Sequence, residues 1–291
     1  RVPRNALREE AISVAPGRAP SCSAPNRQYL IPMSIRLIAV DIDGTLVDSR
    51  GELPEANRAS IREARSTGVE VILVTGRSFH HARPIAEALA DDLTLVVSNG
   101  ALVKQTDGTT VDSRLLTCQL ASEVLSGARS IQTGAALIFD RADARQYVYE
   151  HIDWRHSQRR WYYERHHRFM TEVSPLENAL TEQPVQVAFS GGVAEMRRLA
   201  GHLRQLSLSG QVSIGLTEYE ARNFSLLDVT ITGCSKGAAL AAWAARRGLS
   251  SMEVMAIGDN LNDREMLEFA GHPVVMGNAV PELKAFGWPT T

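Results

Sequence analysis

The sequence predicts an α/β protein: a doubly wound, mainly parallel sheet interrupted by an inserted α+β unit. Three observations carry this. Short, continuous Val/Ile-rich runs recur, as in strands buried on both faces of a parallel sheet. Helical patterns separate them, which implies βαβ units. Each run ends in a polar cluster, and such sheets bind ligands at the carboxyl ends of their strands.

Taken in order, "IRLIAV" (35–40) ends in Asp41, "VEVILV" (69–74) in Thr75-Gly76-Arg77, and "LTLVV" (93–97) in Ser98-Asn99-Gly100. Late in the chain "EVMAI" (253–257) ends in Gly258-Asp259-Asn260, and "PVVM" (273–276) in Gly277-Asn278. Residues 54–67 read as a helix with Pro at N1 and a stop at Gly68. Residues 236–247 follow the N-cap candidate Ser235 and stop at Gly248, and 261–270 read as another helix. In 78–90, Pro84 argues for a kinked or shortened helix. The middle reads as helix (119–130), strands (135–140, 146–151), a polar-aromatic helix (154–169), strand (184–189), helix (194–206) and strand (211–216). That order implies an α+β unit on an antiparallel sheet. The expected organisation is therefore a core over 35–117 and 223–291, a cap domain over 118–222, and a disordered or extraneous N-terminal extension over 1–34.

The chain has 291 residues, 44% apolar and 22% charged, with a net charge of −2. Length suggests two domains, and composition is that of an ordinary globular protein. The charge gives no global reason to expect nucleic acid or an anionic membrane as partner. No apolar run approaches the ~20 residues that span a bilayer. Cys22, Cys118 and Cys234 lack metal-ligand spacing and fit a reducing compartment, the cytoplasm. The leader is rich in Pro, Arg, Ser and Ala, and Glu9-Glu10 weighs against a transit peptide.

Asp41 and Asp43 flank one residue at a strand end, with Gly44 allowing a tight turn. Two such carboxylates need either a bound cation or one acid kept protonated for acid/base work. Asp259 adds a third carboxylate, and an open, all-oxygen cluster of this kind suits Mg²⁺. Thr75, Gly76, Arg77 and Lys236 offer phosphate donors, and Asn262 enters from the next helix. Singly, each motif has a plain reading: an Asp-Gly turn, a solvated lysine. Their joint order, each at its own strand or helix end, argues for one site.

The segments "DIDGTL", "VTGR", "SNGA", "CSKGAAL" and "AIGDNLNDREML", closed by "VMGNAVPELK", resemble the haloacid dehalogenase-like superfamily, most closely its Cof-type phosphatases with a class IIB cap. The resemblance covers about 35–291 and implies a Rossmann-like core. It implies that Asp41 is a nucleophile forming an aspartyl-phosphate, and that Asp43 is the acid/base whose carbonyl also binds Mg²⁺. Asp41 and Asp259 would supply the metal's carboxylates. Thr75, Gly76, Lys236 and Asn262 would hold the phosphoryl group, with Asp263 behind them. A small phosphate ester, a sugar phosphate first, is the implied substrate; a phosphomutase and a non-catalytic phosphate-binding module are the alternatives. Two departures are Ile42, where relatives often carry Leu, and the end at "KAFGWPTT", which suggests a C-terminal truncation.

In "WRHSQRRWYYERHHRF" (154–169) five arginines lie among aromatics. A polyanion site and a steering surface for phosphorylated substrates both fit. The favoured reading packs Trp154, Trp161 and Phe169 on the cap and leaves the arginines solvated.

Overall fold

The computed structural model describes residues 34–291. The expectations for the N-terminal extension and for Cys22 therefore fall, apart from Ser34, outside the described residues.

From the N-terminal side the elements are β1 (Leu37–Val40), α1 (Glu55–Ser66), β2 (Glu70–Val74), α2 (Phe79–Leu89), β3 (Thr94–Val97), β4 (Leu102–Gln105) and β5 (Thr110–Ser113). There follow α3 (Cys118–Ala128), β6 (Ala135–Ile138), β7 (Tyr147–Glu150), α4 (Ser157–His166), β8 (Met170–Glu172), β9 (Gln186–Gly191), α5 (Val193–Leu203), β10 (Val212–Tyr219) and β11 (Phe224–Ile231). The chain closes with α6 (Lys236–Arg246), β12 (Val254–Gly258), α7 (Arg264–Phe269), β13 (His272–Val275) and α8 (Pro281–Lys284).

The larger sheet has the order β13-β12-β1-β2-β3-β4-β5. The pairs from β13 through β3 are parallel, and β4 and β5 add antiparallel. Its strands are apolar on both faces because helices cover both. Leu37, Ala39, Ile72 and Val74 pack with Leu240, Trp243, Met266 and Leu267 of α6 and α7. Val40, Val71, Leu73 and Leu95 pack on the other side with Ile61 of α1 and Phe79, Ala82 and Ala86 of α2. The chain leaves β1 toward β2 on one side and later fills β12 on the other. The carboxyl end of β1 is thus the topological switch point, where a crevice opens.

The second sheet, the cap, has the order β10-β11-β9-β6-β7-β8. It is mixed, because β7 and β8 pair in parallel while the other pairs are antiparallel. One face carries a core built with α3 and α5, including Leu137, Val148, Val187, Leu227 and Val229.

Several expectations are corrected here. β11 lies inside the cap sheet, between β10 and β9, so that sheet extends past residue 222, to Ile231. Its run "FSLLDVTI" is apolar enough to read as a strand of either sheet, and only pairing decides. α2 continues through Pro84. Its apolar positions Phe79, Ala82, Ala86 and Leu89 make one buried stripe, which outweighs the lost backbone hydrogen bond. The hairpin β4–β5 and strand β8 are additions. The polar-aromatic helix is shorter than expected, Ser157–His166, and none of its residues is fully buried. Trp161 is 52% exposed, whereas Trp154 stacks edge-on against Tyr149.

Candidate active site

The Asp41 N–H donates to Ile257 O (3.0 Å), extending the β1–β12 ladder by one residue and fixing the carboxylate at the strand end. Gly44 follows with φ +81°, a conformation that favours glycine. A Cβ there would overlap the Asp259 carboxylate. Its carbonyl accepts from Asn278 Nδ2 (2.9 Å), which ties the loop to the segment after β13.

Lys236 opens α6, whose N-cap Ser235 accepts the Ala238 N–H at 3.0 Å. The lysine is 1% exposed, and its Nζ donates to Asp41 Oδ1 and Asp263 Oδ1, both at 2.6 Å. The second oxygen of Asp263 accepts the Asp259 and Asn260 N–H groups at 2.9 and 3.0 Å. Asp263 thus aims Lys236 with one oxygen and shapes the loop that carries Asp259 with the other.

Asp41, Asp259 and Asp263 each bring a carboxylate oxygen within 4.8 Å of the others. Three carboxylates face one ammonium, so the cluster carries surplus negative charge. Burial first, then Asp263, pushes Asp41 well above the ordinary carboxylate range. The same two causes push Asp259 up to about 7. Burial alone would lower Lys236, but Asp263 and Asp41 reverse this and raise it. A divalent cation fits this donor set, since it would relieve both raised acids. Asp41 and Asp259 are the carboxylates suited to hold it, because both Asp263 oxygens already accept hydrogen bonds.

The residues expected to meet phosphate sit on the neighbouring strand end. Thr75 is buried, and its Oγ1 accepts the Arg77 N–H at 3.1 Å. Ser98 and Asn99, both with positive φ, bond back to Arg77 O and Thr75 O through their N–H groups (2.8 and 3.1 Å). Gly76 lies against the Asn99 side chain: a Cβ there would be 3.1 Å from Asn99 Oδ1. Asn262 Nδ2 donates to that same oxygen at 3.3 Å. Residues from three strand ends therefore meet.

Arg77 is placed differently from the other donors. It grips Asp43 bidentately, Nε to Oδ2 at 2.8 Å and Nη2 to Oδ1 at 2.6 Å. Asp43 is half-exposed, and its carboxylate lies outside the Asp41–Asp259–Asp263 cluster. The Asn99 contact went unread in the sequence, and so did two cap residues near the cluster, Tyr219 and Asp228, the second of which accepts from Asn99 Nδ2 at 3.3 Å. Tyr219 is 37% exposed, yet partial burial and then Asp43, Asp259 and Asp41 raise it, which puts its phenol within their electrostatic reach. Residues Arg155 and Arg160 pair locally with Asp153 and Glu164 at the surface, while Arg159 reaches Ser190.

A family model described as haloacid dehalogenase-like hydrolase matches residues 38–287. An HMP-PP phosphatase of Serratia proteamaculans is 30% identical over 251 residues, 86% of each chain. A haloacid dehalogenase-like hydrolase from Bacteroides thetaiotaomicron shares the fold with a TM-score of 0.73 at 23% identity, covering 89% of this chain and 94% of its own. The subclass IIB sugar phosphatase BT4131 does so with a TM-score of 0.70 at 19% identity, covering 88% and 93%. The chain belongs to the haloacid dehalogenase-like hydrolase family. Within it, the two-sheet arrangement is that of the Cof-type IIB members, and the enzyme class is phosphatase. Among the described residues no helix is long and apolar enough to cross a membrane.

Proposed function

We propose that this phosphatase is Mg²⁺-dependent and hydrolyses a small phosphorylated metabolite, a sugar phosphate first, through an aspartyl-phosphate on Asp41. One observation carries the reading: a buried carboxylate at the switch point shares a buried ammonium with Asp263, and a second aspartate lies two residues away. An Asp41 oxygen attacks phosphorus, and the bond from phosphorus to the leaving oxygen breaks. Asp43 gives that oxygen its proton. Water then attacks the phospho-aspartate while Asp43 takes a proton from it, and inorganic phosphate leaves with Asp41 restored. To deliver the proton, Asp43 turns one oxygen off Arg77 while its other oxygen stays on the guanidinium, which keeps the acid in position.

Lys236 holds charge on the phosphoryl oxygens, and Thr75, Gly76 and Asn262 orient them. A bound divalent cation would neutralise phosphoryl charge between Asp41, Asp259 and the Asp43 carbonyl. The core strand ends form the hydrolytic unit and the inserted segment its cover, with Cys118 and Cys234 free, as suits the cytoplasm.

The test is phosphate release from a panel of sugar phosphates, nucleotides, HMP-PP and 4-nitrophenyl phosphate, with Mg²⁺ and with EDTA. Release should require the metal, and Asp41→Asn should abolish it while keeping the cooperative melt. Full turnover in EDTA, or by the Asn variant, overturns the mechanism. Isomerised sugar phosphate in place of inorganic phosphate would mark a mutase.

A further inference from the structure

We propose that Asp228, backed by Gln186, is a specificity-determining residue that accepts hydrogen bonds from a hydroxyl or amino group on the leaving portion of the substrate. This rests on the phosphatase reading above. The cap sheet has two faces. Leu227, Val229, Val187 and Phe189 point into the core shared with α3 and α5. By strand alternation Asp228, Gln186 and Ala188 point the other way. Asp228 pairs across the ladder with Ala188, and Ala188 with Ala136, so the surface beside the carboxylate is lined by small side chains.

Hydrogen bonds connect this face to the catalytic one. Gln186 Nε2 donates to Asp228 Oδ1 at 2.9 Å, and Asn99 Nδ2 donates to Oδ2 at 3.3 Å. Asn99 in turn accepts from Asn262 and lies against Gly76. Asp228 is therefore one side chain removed from the phosphate-binding residues, on the cap side. That is where the leaving group of an ester held by Asn262 and Gly76 would extend.

The cluster is rich in acceptors and short of donors. Gln186 Oε1 is buried without a hydrogen-bond partner. Flipping the amide would aim that oxygen at the Asp228 carboxylate, so the spare acceptor cannot be removed by reassignment. Among the described residues, no lysine or arginine forms an ion pair with Asp228, although buried carboxylates are ordinarily paired. Burial pushes Asp228 up to about 7. The residue nevertheless keeps some accessible surface. Tyr147 and Tyr162, with ring centroids 5.7 Å apart, are both raised chiefly by burial, and the Asp228 charge adds to it, which puts both rings within its electrostatic reach. Acceptors beside aromatic rings suit a ligand with polar donors and an apolar face, such as a sugar ring or an amino-bearing ring.

A purely structural role, tying the cap to Asn99, predicts a different outcome. Steady-state kinetics of wild type, Asp228→Asn and Gln186→Leu are measured on glucose 6-phosphate, glucosamine 6-phosphate and 4-nitrophenyl phosphate. The ratio of kcat/KM for the better sugar ester to that for 4-nitrophenyl phosphate should fall about tenfold in Asp228→Asn, the scale of one hydrogen bond to a charged group. The loss should lie mainly in KM. A larger loss for glucosamine 6-phosphate identifies the amine as the recognised donor, and equal losses identify a hydroxyl. Parallel losses on all three esters, an unchanged ratio, or a wild-type preference for 4-nitrophenyl phosphate overturns the proposal. Failure of wild type with Mg²⁺ to release phosphate from 4-nitrophenyl phosphate counts instead against the phosphatase reading.

Discussion

Replacing Lys236 by methionine keeps most of the stem's volume and removes one buried charge. Both partners of that ammonium remain, Asp41 and Asp263, each 2.6 Å from it in the native protein. Removing one member of a buried ion pair costs about 3–5 kcal/mol, because the stranded charge is left without water or partner. At about 2–4 °C per kcal/mol for a chain of this size, the melt should drop by about 6–20 °C at pH 8 in EDTA. The deficit should shrink with acid. Asp41 is raised above its ordinary value and Asp259 to about 7. The folded state therefore binds protons at these sites more tightly than the unfolded chain. Stability from the protonated acids is present at low pH and is lost as pH rises through about 7. At pH 5 the variant can neutralise a stranded carboxylate by taking up a proton. Thermal melts of wild type and variant at pH 5 and pH 8, with EDTA and with Mg²⁺, give the whole comparison. An unchanged melt at pH 8, or a deficit equal at both pH values, would refute the account of Lys236 as the counter-charge of this cluster.

Three further outcomes are expected. Gly44→Ala should destabilise by about 1–2 kcal/mol through its left-handed backbone alone. It should also raise the Mg²⁺ concentration needed for half-maximal activity, because the new Cβ displaces Asp259; unchanged metal dependence would count against Asp259 as a ligand. Arg77→Leu frees Asp43 from a pair exposed enough to contribute little stability. The melt should hold within error while kcat falls about tenfold with KM little changed, and a kcat at the wild-type level would show that Arg77 does not position the acid/base. Burial holds Asp228 up at about 7, so the stability its proton gives is complete near pH 4 and is lost as pH rises through about 7. Asp228→Asn should therefore melt higher than wild type at pH 8, by at most about 4 kcal/mol of stability, and level with it at pH 4; a lower melt at pH 8 would reverse this sign.

The core site was legible because chemistry and secondary structure coincide there. Asp41, Thr75, Ser98 and Asp259 each terminate a short apolar run, and parallel strands place such ends together whatever the loops do. Pairing that depends on distant partners was harder to read. Residues 224–231 carry the apolar content of a core strand, and only their ladders with β10 and β9 put them in the cap. The β4–β5 hairpin did carry a signal, the Asp107-Gly108 dipeptide with Gly108 at φ +99°, of the kind that marks a tight turn. The Arg77–Asp43 grip spans 34 positions, and no spacing rule announces it. Aromatic content likewise fails to say which way a side chain faces, as exposed Trp161 in α4 and Trp154 just before it, edge-on against Tyr149, show.

The connection from Asp228 to Lys236 has an evolutionary consequence. One continuous stretch of chain carries an acceptor on the open face of the cap sheet and, at the start of α6, the lysine that bridges Asp41 and Asp263. Strand alternation means that inserting or deleting one residue before Asp228 in β11 would swap its two sets of side chains, sending Asp228 toward α3 and α5 and Leu227 into the crevice. A length change after Ile231 would instead move Lys236 away from Asp41 and Asp263. Lineages descending from such a protein are therefore confined to trading side chains at alternate positions such as 226 and 228. New substrate preferences would arise by replacement at fixed length, with the lysine's address left untouched.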